Sequence, residues 1–202
     1  MTATPILVVG GAGYIGSHTC LALSERGYLP VVYDNFTSGH PEFVKWGPTE
    51  QGDIRDKARL KEVLAKYQPK AAMHFAGLIE VGQSFKEPEH FYDVNVSGTL
   101  SLLQALSEAD IRNFVFSSTC APYGAPEYLP LDEKHGQKPI NPYGRTKHIV
   151  EQALGDLNLC GRMRSVMLRY FNAAGADFEG RIGEWHSPET HAIPLAIETA
   201  LG

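Results

Sequence analysis

The stretch ILVVGGAGYIGSHTCLAL, residues 6–23, decides the fold. A short apolar run ends in glycines, and an apolar pattern with helical spacing begins directly after them. Gly10, Gly13 and Gly16 lie between the two, and the letters read from Gly11 also satisfy G-x-G-x-x-G. Glycines at this spacing permit a tight turn, close approach of backbone to a phosphate, and packing of helix on strand. The stretch predicts a strand, a phosphate-binding turn and a helix.

An acidic residue supports this interpretation. Asp34 closes the next apolar run, VVYD, at about the distance where a dinucleotide-binding unit places an acid on the adenosine ribose. A carboxylate there would repel a 2′-phosphate, which favours NAD over NADP. The alternatives are a plain strand-to-helix turn with a surface acid, or an FAD site with a similar fingerprint.

The same alternation of strand and helix continues along the chain. Helical patterns are predicted at residues 14–26, 56–67, 89–109 and 142–160, and a short amphipathic helix at residues 192–202. The strands between them are PILVV, PVVY, AAMHF, NFVFSS and SVMLRY. Continuous apolar strands separated by helices indicate a parallel sheet covered on both faces. We expect an α/β fold, a doubly wound, Rossmann-like parallel sheet, followed by a glycine-rich functional loop at residues 171–191.

Composition limits the classes of function. The 202 residues are 43% hydrophobic and 20% charged, as in soluble globular proteins, and the formal net charge is −5. Without a basic run, neither nucleic acid nor a membrane surface is expected as a partner. The amino terminus resembles neither a secretory signal nor a membrane helix, so a cytoplasmic location is expected. Cys20, Cys120 and Cys160 are far apart, which fits a reducing compartment and weakens a disulfide or zinc interpretation.

A second motif contains candidate catalytic residues. In INPYGRTKHIVEQAL, residues 140–154, Tyr143 and Lys147 share one face of a helix. A nearby lysine ammonium and a cationic nicotinamide ring both favour the phenolate, so the tyrosine can take a proton from a sugar hydroxyl. Thr119 follows a strand where its carboxyl end opens toward a ligand, so its hydroxyl can bond the same oxygen. This pair also favours a nicotinamide cofactor over FAD.

Several motifs together resemble the nucleotide-sugar epimerases of the extended short-chain dehydrogenase/reductase family. They are GGAGYIG, GDIRD, HFAGL, NVSGTL, FSSTC, NPYGRTK and LRYFNAAGA, and they cover nearly the whole chain. The tyrosine and lysine alone mark only the superfamily, whereas LRYFNAAGA and GDIRD with HFAGL narrow it to nucleotide-sugar enzymes. The resemblance implies NAD-dependent epimerisation at C4 of a UDP-hexose, such as UDP-glucose or UDP-galactose, through a 4-keto intermediate.

The resemblance also assigns roles to individual residues. Tyr143 would be the catalytic base and acid, Lys147 would hold the nicotinamide ribose and lower the pKa of the tyrosine, and Thr119 would bond the reacting oxygen. Thr119, Tyr143 and Asn172 would contact the substrate. The residues implied to surround NAD, besides Tyr143 and Lys147, are Gly10, Gly13, Tyr14, Ile15, Gly16, Asp34, Asn35, Ser38, Gly39, Asp53, Ile54, Phe75, Ala76, Gly77, Asn95, Ser117 and Phe171.

Other enzymes on this fold remain alternatives. Related dehydratases commonly carry an Asp-Glu pair after the threonine, but Cys120 and Ala121 follow Thr119 here, which favours epimerisation. A dehydrogenase differs in whether NADH leaves. A non-catalytic NAD-binding protein or fragment need not keep the tyrosine, lysine and threonine together.

Four further expectations concern the rest of the chain. Pro122 stands where the family usually has threonine or valine, which puts the local geometry beside Thr119 in question. Family members continue into a smaller substrate domain, so residues 1–170 are assigned to an NAD-binding domain and residues 171–202 to the start of a truncated substrate-binding region. A homodimer through the helices at 89–109 and 142–160 is implied. His186 and His191, separated by Pro188, are expected in a solvated or substrate-facing loop, with no metal site.

Overall fold

Six parallel strands form one sheet in the computed structural model, which describes residues 3–186, 189 and 191–202. The order across the sheet is β3-β2-β1-β4-β5-β6, the order typical of dinucleotide-binding sheets. This confirms the expected doubly wound fold. The strands are β1 (Thr4–Val9), β2 (Tyr28–Asp34), β3 (Thr49–Gln51), β4 (Ala71–His74), β5 (Asn113–Ser117) and β6 (Arg164–Leu168).

Helices follow the strands in the expected alternation. A π-helical segment, Tyr92–Gly98, joins α4 to α5 and makes the single long helix that was predicted at residues 89–109. Single 3₁₀ turns lie at Pro41–Phe43 and Ala121–Tyr123. The α-helices are α1 (Tyr14–Glu25), α2 (Lys57–Tyr67), α3 (Val81–Lys86), α4 (Pro88–Phe91), α5 (Thr99–Glu108), α6 (Pro142–Leu159) and α7 (Ala192–Leu201).

The sheet is covered on both faces. On β1, Leu7 and Val9 pack into a core that includes side chains of α2, α5 and α6, whereas Val8 between them packs against Cys20 of α1. Successive side chains of a strand point to opposite faces, so a strand buried on both faces must be apolar throughout. This is why β1 reads as an uninterrupted hydrophobic run.

The strand order determines where a ligand can bind. The chain leaves β1 toward β2 and β3 on one side, and the later strands from β4 onward lie on the other side. In open α/β sheets a crevice forms outside the carboxyl ends of the strands at such a reversal. The glycine turn, Asp34 and Thr119 all lie at or just beyond these ends.

Most side chains of the last helix, α7, are exposed. Its predicted apolar stripe is exposed, and so is the Val166 side chain of β6. The stripe comprises Ile193, Ala196, Ile197, Ala200 and Leu201. Among the described residues, no helix combines the length and the apolar character that crossing a bilayer requires.

Candidate active site

The three glycines of the first turn are explained by different features of the structure. Gly10 has φ +78°, and a Cβ atom there would lie 2.4 Å from the backbone nitrogen of Ala76. A Cβ on Gly16 would lie 2.1 Å from the carbonyl oxygen of Gly10, so this glycine lets α1 pack on the turn. At Gly13 the nearest described atom would be 3.5 Å away. This is an ordinary van der Waals distance, so internal packing does not require a glycine here; Gly13 is the N-cap of α1, where a phosphate can approach the backbone.

Asp34 lies beside this turn at the end of β2. Its Oδ2 accepts a hydrogen bond of 2.9 Å from the backbone nitrogen of Ala12, and its Oδ1 accepts one of 2.9 Å from that of Phe36. The carboxylate is buried and fixed at the rim of the cleft. This is the position at which the sequence predicts a ribose-binding acid.

A second acidic residue, Asp53, lines this end of the cleft. Asp53 accepts hydrogen bonds from the guanidinium of Arg55 at 2.8 Å, and Arg55 also pairs with Asp93 at 2.6 Å. The bond from Arg55 lowers the pKa of Asp53 to about 2. Asn35 donates to the same carboxylate at 3.2 Å. Asp53 therefore stays ionised but is already paired.

Two neighbouring cavities form one elongated cleft along the sheet edge. Their volumes are about 360 and 380 Å³, and they share five lining residues, which are Gly10, Gly13, Ser38, Phe75 and Gly77. The first cavity also contains Asp34, Asn35, Gly39, Asp53, Ile54 and Ala76. The second also contains Tyr14, Ile15, Gly16, Ser117, Thr119, Tyr143, Lys147, Phe171 and Asn172. The structure thus brings every predicted site residue except Asn95 to one cleft.

Asn95 lies beneath the cleft and lines neither of these cavities. Its buried side chain accepts a hydrogen bond of 2.8 Å from the backbone nitrogen of Leu78 and donates one of 3.0 Å to the carbonyl oxygen of Leu78. It also donates to the Thr146 hydroxyl at 3.2 Å. Asn95 therefore fixes the loop after Gly77 that does line the cleft, and its expected contact with the cofactor stays a prediction.

Tyr143, Lys147 and Thr119 meet at the other end. Helix α6 begins at Pro142, and the Asn141 side chain caps it by accepting a 2.7 Å hydrogen bond from the backbone nitrogen of Gly144. This cap places Tyr143 in the first turn and Lys147 one turn later. The Lys147 ammonium donates a 3.0 Å hydrogen bond to the carbonyl oxygen of Ser117 and lies 6.0 Å from the centre of the Tyr143 ring.

Burial controls the ionisation of both groups. It raises the pKa of Tyr143 to about 12, which the Thr119 side chain opposes by hydrogen bonding. Burial also lowers the pKa of Lys147 to about 8, and the carboxylate of Glu151 opposes that shift. The expected fall in the pKa of Tyr143 is therefore not found in the chain alone. Desolvation of the phenolate outweighs an ammonium 6.0 Å from the ring, so further positive charge is needed to favour the phenolate.

Sequence reasoning missed a buried ion pair behind this site. Glu151 accepts hydrogen bonds from Arg169, at 2.6 Å to Nη2, and from the Ser118 hydroxyl. Arg169 also donates to the Tyr123 hydroxyl at 3.1 Å. Glu151 follows Lys147 by four residues and so shares its side of the helix, but spacing along the chain does not indicate Arg169 as its partner. The pair ties α6 to β6 and to the segment that carries Thr119.

Pro122 does not disturb the segment after Thr119. It lies in the 3₁₀ turn Ala121–Tyr123, where its fixed φ is compatible with the backbone. The turn is closed by a 3.2 Å hydrogen bond from the nitrogen of Gly124 to the carbonyl oxygen of Ala121. The backbone nitrogen of Cys120 bonds the carbonyl oxygen of Tyr170 at 3.1 Å. The proline is therefore accommodated beside the site.

The glycine-rich loop brings further side chains to the cleft. Glu184, His186 and His191 line the cavity that contains Tyr143, and Glu189 lies within reach of both histidines. The sequence argument against such a cluster assumed helical spacing, but a loop holds these residues together. Pro188, which entered that argument, lies outside the described residues.

A wider groove elsewhere offers no comparable chemistry. It has a volume of about 1070 Å³ and lies at the opposite edge of the sheet, where Asn113 and Arg164 begin β5 and β6. It contains none of the predicted site residues in the described chain. Ligands of parallel sheets bind at the carboxyl ends of the strands, which is the other edge.

The chain matches known proteins along its whole length. A model of the NAD dependent epimerase/dehydratase family matches residues 6–201. UDP-glucose 4-epimerase of Rhizobium leguminosarum bv. trifolii is 70% identical over 202 residues, covering 100% of this chain and 62% of that protein. The chain therefore spans less than two thirds of the length of this curated relative.

Solved structures agree with the sequence matches. The UDP-glucose 4-epimerase from Brucella ovis, in complex with NAD, has a TM-score of 0.96 and 52% identity, over 98% of this chain and 61% of its own. The enzyme from Bifidobacterium longum, in complex with NAD+ and UDP, has a TM-score of 0.86 and 36% identity, over 90% of this chain and 57% of its own. The resemblance inferred from the motifs is confirmed, and the chain belongs to the NAD dependent epimerase/dehydratase family.

Proposed function

We propose that this chain provides the NAD site and the catalytic residues of a UDP-hexose 4-epimerase. One observation carries the proposal: a single cleft joins the glycine turn and Asp34 at one end to Tyr143, Lys147 and Thr119 at the other. A dinucleotide has phosphates between two nucleosides, so an elongated cleft with its phosphate-binding turn near the middle fits its shape. The relatives that bind NAD support the same assignment.

The residues present fit NAD in their chemistry. Asp34 would accept hydrogen bonds from the adenosine ribose, with Asn35, Ser38 and Gly39 beside it, and Asp53 and Ile54 would lie near the adenine. Gly13 would allow the diphosphate to approach the start of α1. At the other end, Lys147 would bind the nicotinamide ribose, with Phe171 beside the ring.

Each side chain at the site would have a separate role in the reaction. When bound, NAD would supply a hydride acceptor and donor at C4 of the sugar. Tyr143 would remove the proton of the 4-hydroxyl. It would return the proton to the oxygen of the 4-keto sugar after the sugar has rotated in the pocket to present its other face. Thr119 would orient that oxygen by hydrogen bonding. The positive charge of Lys147, together with that of the oxidised cofactor, would offset the burial that raises the pKa of Tyr143.

A UDP-sugar is the proposed substrate, held at the reacting end by Thr119, Tyr143 and Asn172. All three line the cavity beside the glycine turn, and the Bifidobacterium relative binds UDP together with NAD+. Residues 120 and 121, which follow Thr119, carry no carboxyl group for the elimination of water, so the proposal favours epimerisation over dehydration.

Three broader assignments belong to the same proposal. We assign residues 1–170 to the NAD-binding domain and residues 171–202 to the beginning of the substrate-binding region. A homodimer through the helices at 89–109 and 142–160 is supported by the exposed Leu100 of α5. A cytoplasmic location, without membrane or nucleic acid partners, stays a prediction from the sequence.

The test is conversion of UDP-galactose to UDP-glucose by the purified chain, with NAD and a saturating sugar concentration, followed by chromatography of the nucleotide sugars. Tyr143→Phe is expected to lower the rate by about 10²- to 10⁴-fold, the usual contribution of a general acid and base. Tyr128→Phe is the matched control, because its exposed hydroxyl bonds only the surface residue Asp132 in the described structure. A wild-type chain that retains NAD but converts no sugar would contradict catalysis and support the non-catalytic NAD-binding alternative.

A further inference from the structure

Four metal-binding side chains converge at the mouth of the cleft. Glu184, His186, Glu189 and His191 each offer one ligand atom, and these atoms all lie within 4.8 Å of one another. They come from the end of the glycine-rich loop, and His191 directly precedes α7. None of them has a role in the proposed hydride or proton transfers.

The spacing between these atoms is compatible with ligands around one ion, although in the ion-free chain His191 and Glu189 form a hydrogen bond. The Nδ1 of His191 lies 2.9 Å from an oxygen of Glu189 and 3.0 Å from one of Glu184. The Nδ1 of His186 lies 3.5 Å and 3.8 Å from oxygens of the same two carboxylates. With zinc bonds of about 2.0–2.2 Å, neighbouring ligand atoms in a tetrahedron lie about 3.4 Å apart. The observed separations bracket this value.

Hydrogen bonding within the cluster is incomplete. The side chain of Glu184 is only 11% exposed, and a buried carboxylate is costly unless it is paired. For Glu184 the ion pairs in the described structure are with the two histidines alone. The Nδ1 of His186 is buried and makes no hydrogen bond in the described part of the chain. A cation between the four side chains would balance the Glu184 carboxylate and bind this nitrogen.

The ligand set indicates which cation fits. Two imidazole nitrogens and two carboxylate oxygens suit Zn²⁺ and neighbouring transition metals, whereas Mg²⁺ and Ca²⁺ prefer oxygen ligands throughout. Both histidines face the cluster with Nδ1, so with an ion bound each would carry its proton on Nε2 and donate the Nδ1 lone pair. We propose that Glu184, His186, Glu189 and His191 form a Zn²⁺ site that fastens the glycine-rich loop to the start of α7.

The experiment measures zinc binding by the tag-free chain, as metal content after dialysis and as affinity in competition with a chelating dye. We expect one Zn²⁺ per chain and no competition from Mg²⁺. Loss of a residue that hydrogen-bonds to a metal ligand typically weakens metal affinity by about 10- to 100-fold. Loss of a direct ligand should cost more, so Glu184→Gln and His186→Asn should each weaken Zn²⁺ binding by at least about 100-fold. Glu179→Gln, an equal loss of charge at an exposed position of the same loop, should leave the affinity unchanged.

Two results would overturn the site. One is a wild-type chain that binds no more Zn²⁺ than the Glu184→Gln variant does. If that variant fails to fold, the absorption spectrum of wild-type protein loaded with Co²⁺ decides instead. An intense visible band, as four-coordinate Co²⁺ gives, would support the site, and a weak six-coordinate spectrum or none would overturn it. Neither measurement requires NAD or a UDP-sugar, so its outcome is separate from that of the proposed function.

Discussion

Removal of the Glu151 carboxylate should destabilise the fold more than any exposed charge substitution. In the wild-type chain this carboxylate is 4% exposed and receives hydrogen bonds from Arg169 and Ser118. Glu151→Met would leave the guanidinium of Arg169, itself only 17% exposed, without its ion-pair partner. Breaking a buried pair by removing one member costs about 3–5 kcal/mol. Because Arg169 retains some contact with water and its bond to Tyr123, we expect a loss of about 3 kcal/mol.

Urea unfolding of the cofactor-free protein measures this loss directly. Glu127→Gln is the control, since Glu127 pairs with Lys138 at 2.6 Å but both side chains are more than half exposed. No measurable change is expected there, because exposed ion pairs contribute little. The double variant Glu151→Met/Arg169→Met should be less destabilised than the sum of the two single variants. A loss below about 1 kcal/mol for Glu151→Met, or additive single effects, would refute the argument.

Three further predictions concern pH and the glycine turn. Burial lowers the pKa of Lys147 from 10.5 to about 8, so the unfolded chain binds more protons between these values and stability rises with pH there. Lys147→Met should abolish that rise and stabilise the cofactor-free protein at pH 7 by at most about 3 kcal/mol, measured by urea unfolding at pH 7 and pH 10. Burial lowers the pKa of His74 from 6.5 to about 3, so stability should fall as pH drops from 6.5 toward 3, and His74→Asn should flatten this slope in thermal melts. Gly16→Ala should lower both the melting temperature and NAD affinity, because its Cβ would lie 2.1 Å from a backbone oxygen, whereas Gly13→Ala should lower NAD affinity at a nearly unchanged melting temperature.

The sequence predicts most of the fold because hydrophobic periodicity reports burial. The first strand reads as apolar throughout since both of its faces are covered. Strand β3, Thr49–Gln51, was missed because its three residues are polar or charged and only the middle one, Glu50, is buried. Helix α3, Val81–Lys86, is too short to show a period. The π-helical segment within the long helix carries no periodic signal that distinguishes it from α-helix.

The candidate site was predictable where backbone geometry dictates the residue. Gly10 and Gly16 are required by close packing, and Asp34 by its position at the end of a strand. The contacts of Asn95 with Leu78 and Thr146 could not be predicted, because a motif gives proximity without telling which way a side chain faces. His186 and His191 were expected in a loop without a metal site, and their convergence with two glutamates could not be predicted, since loop residues come together through tertiary contacts that spacing along the chain does not encode.

The most direct test of the central claim is the nucleotide released when the purified chain is denatured. Mass spectrometry and absorbance should show NAD or NADH approaching one molecule per chain, and Asp34→Ala, which removes the carboxylate at the end of β2, should release far less. If the folded wild-type chain releases no nicotinamide nucleotide and takes up none when NAD is added, the glycine turn and Asp34 do not form the proposed cofactor site.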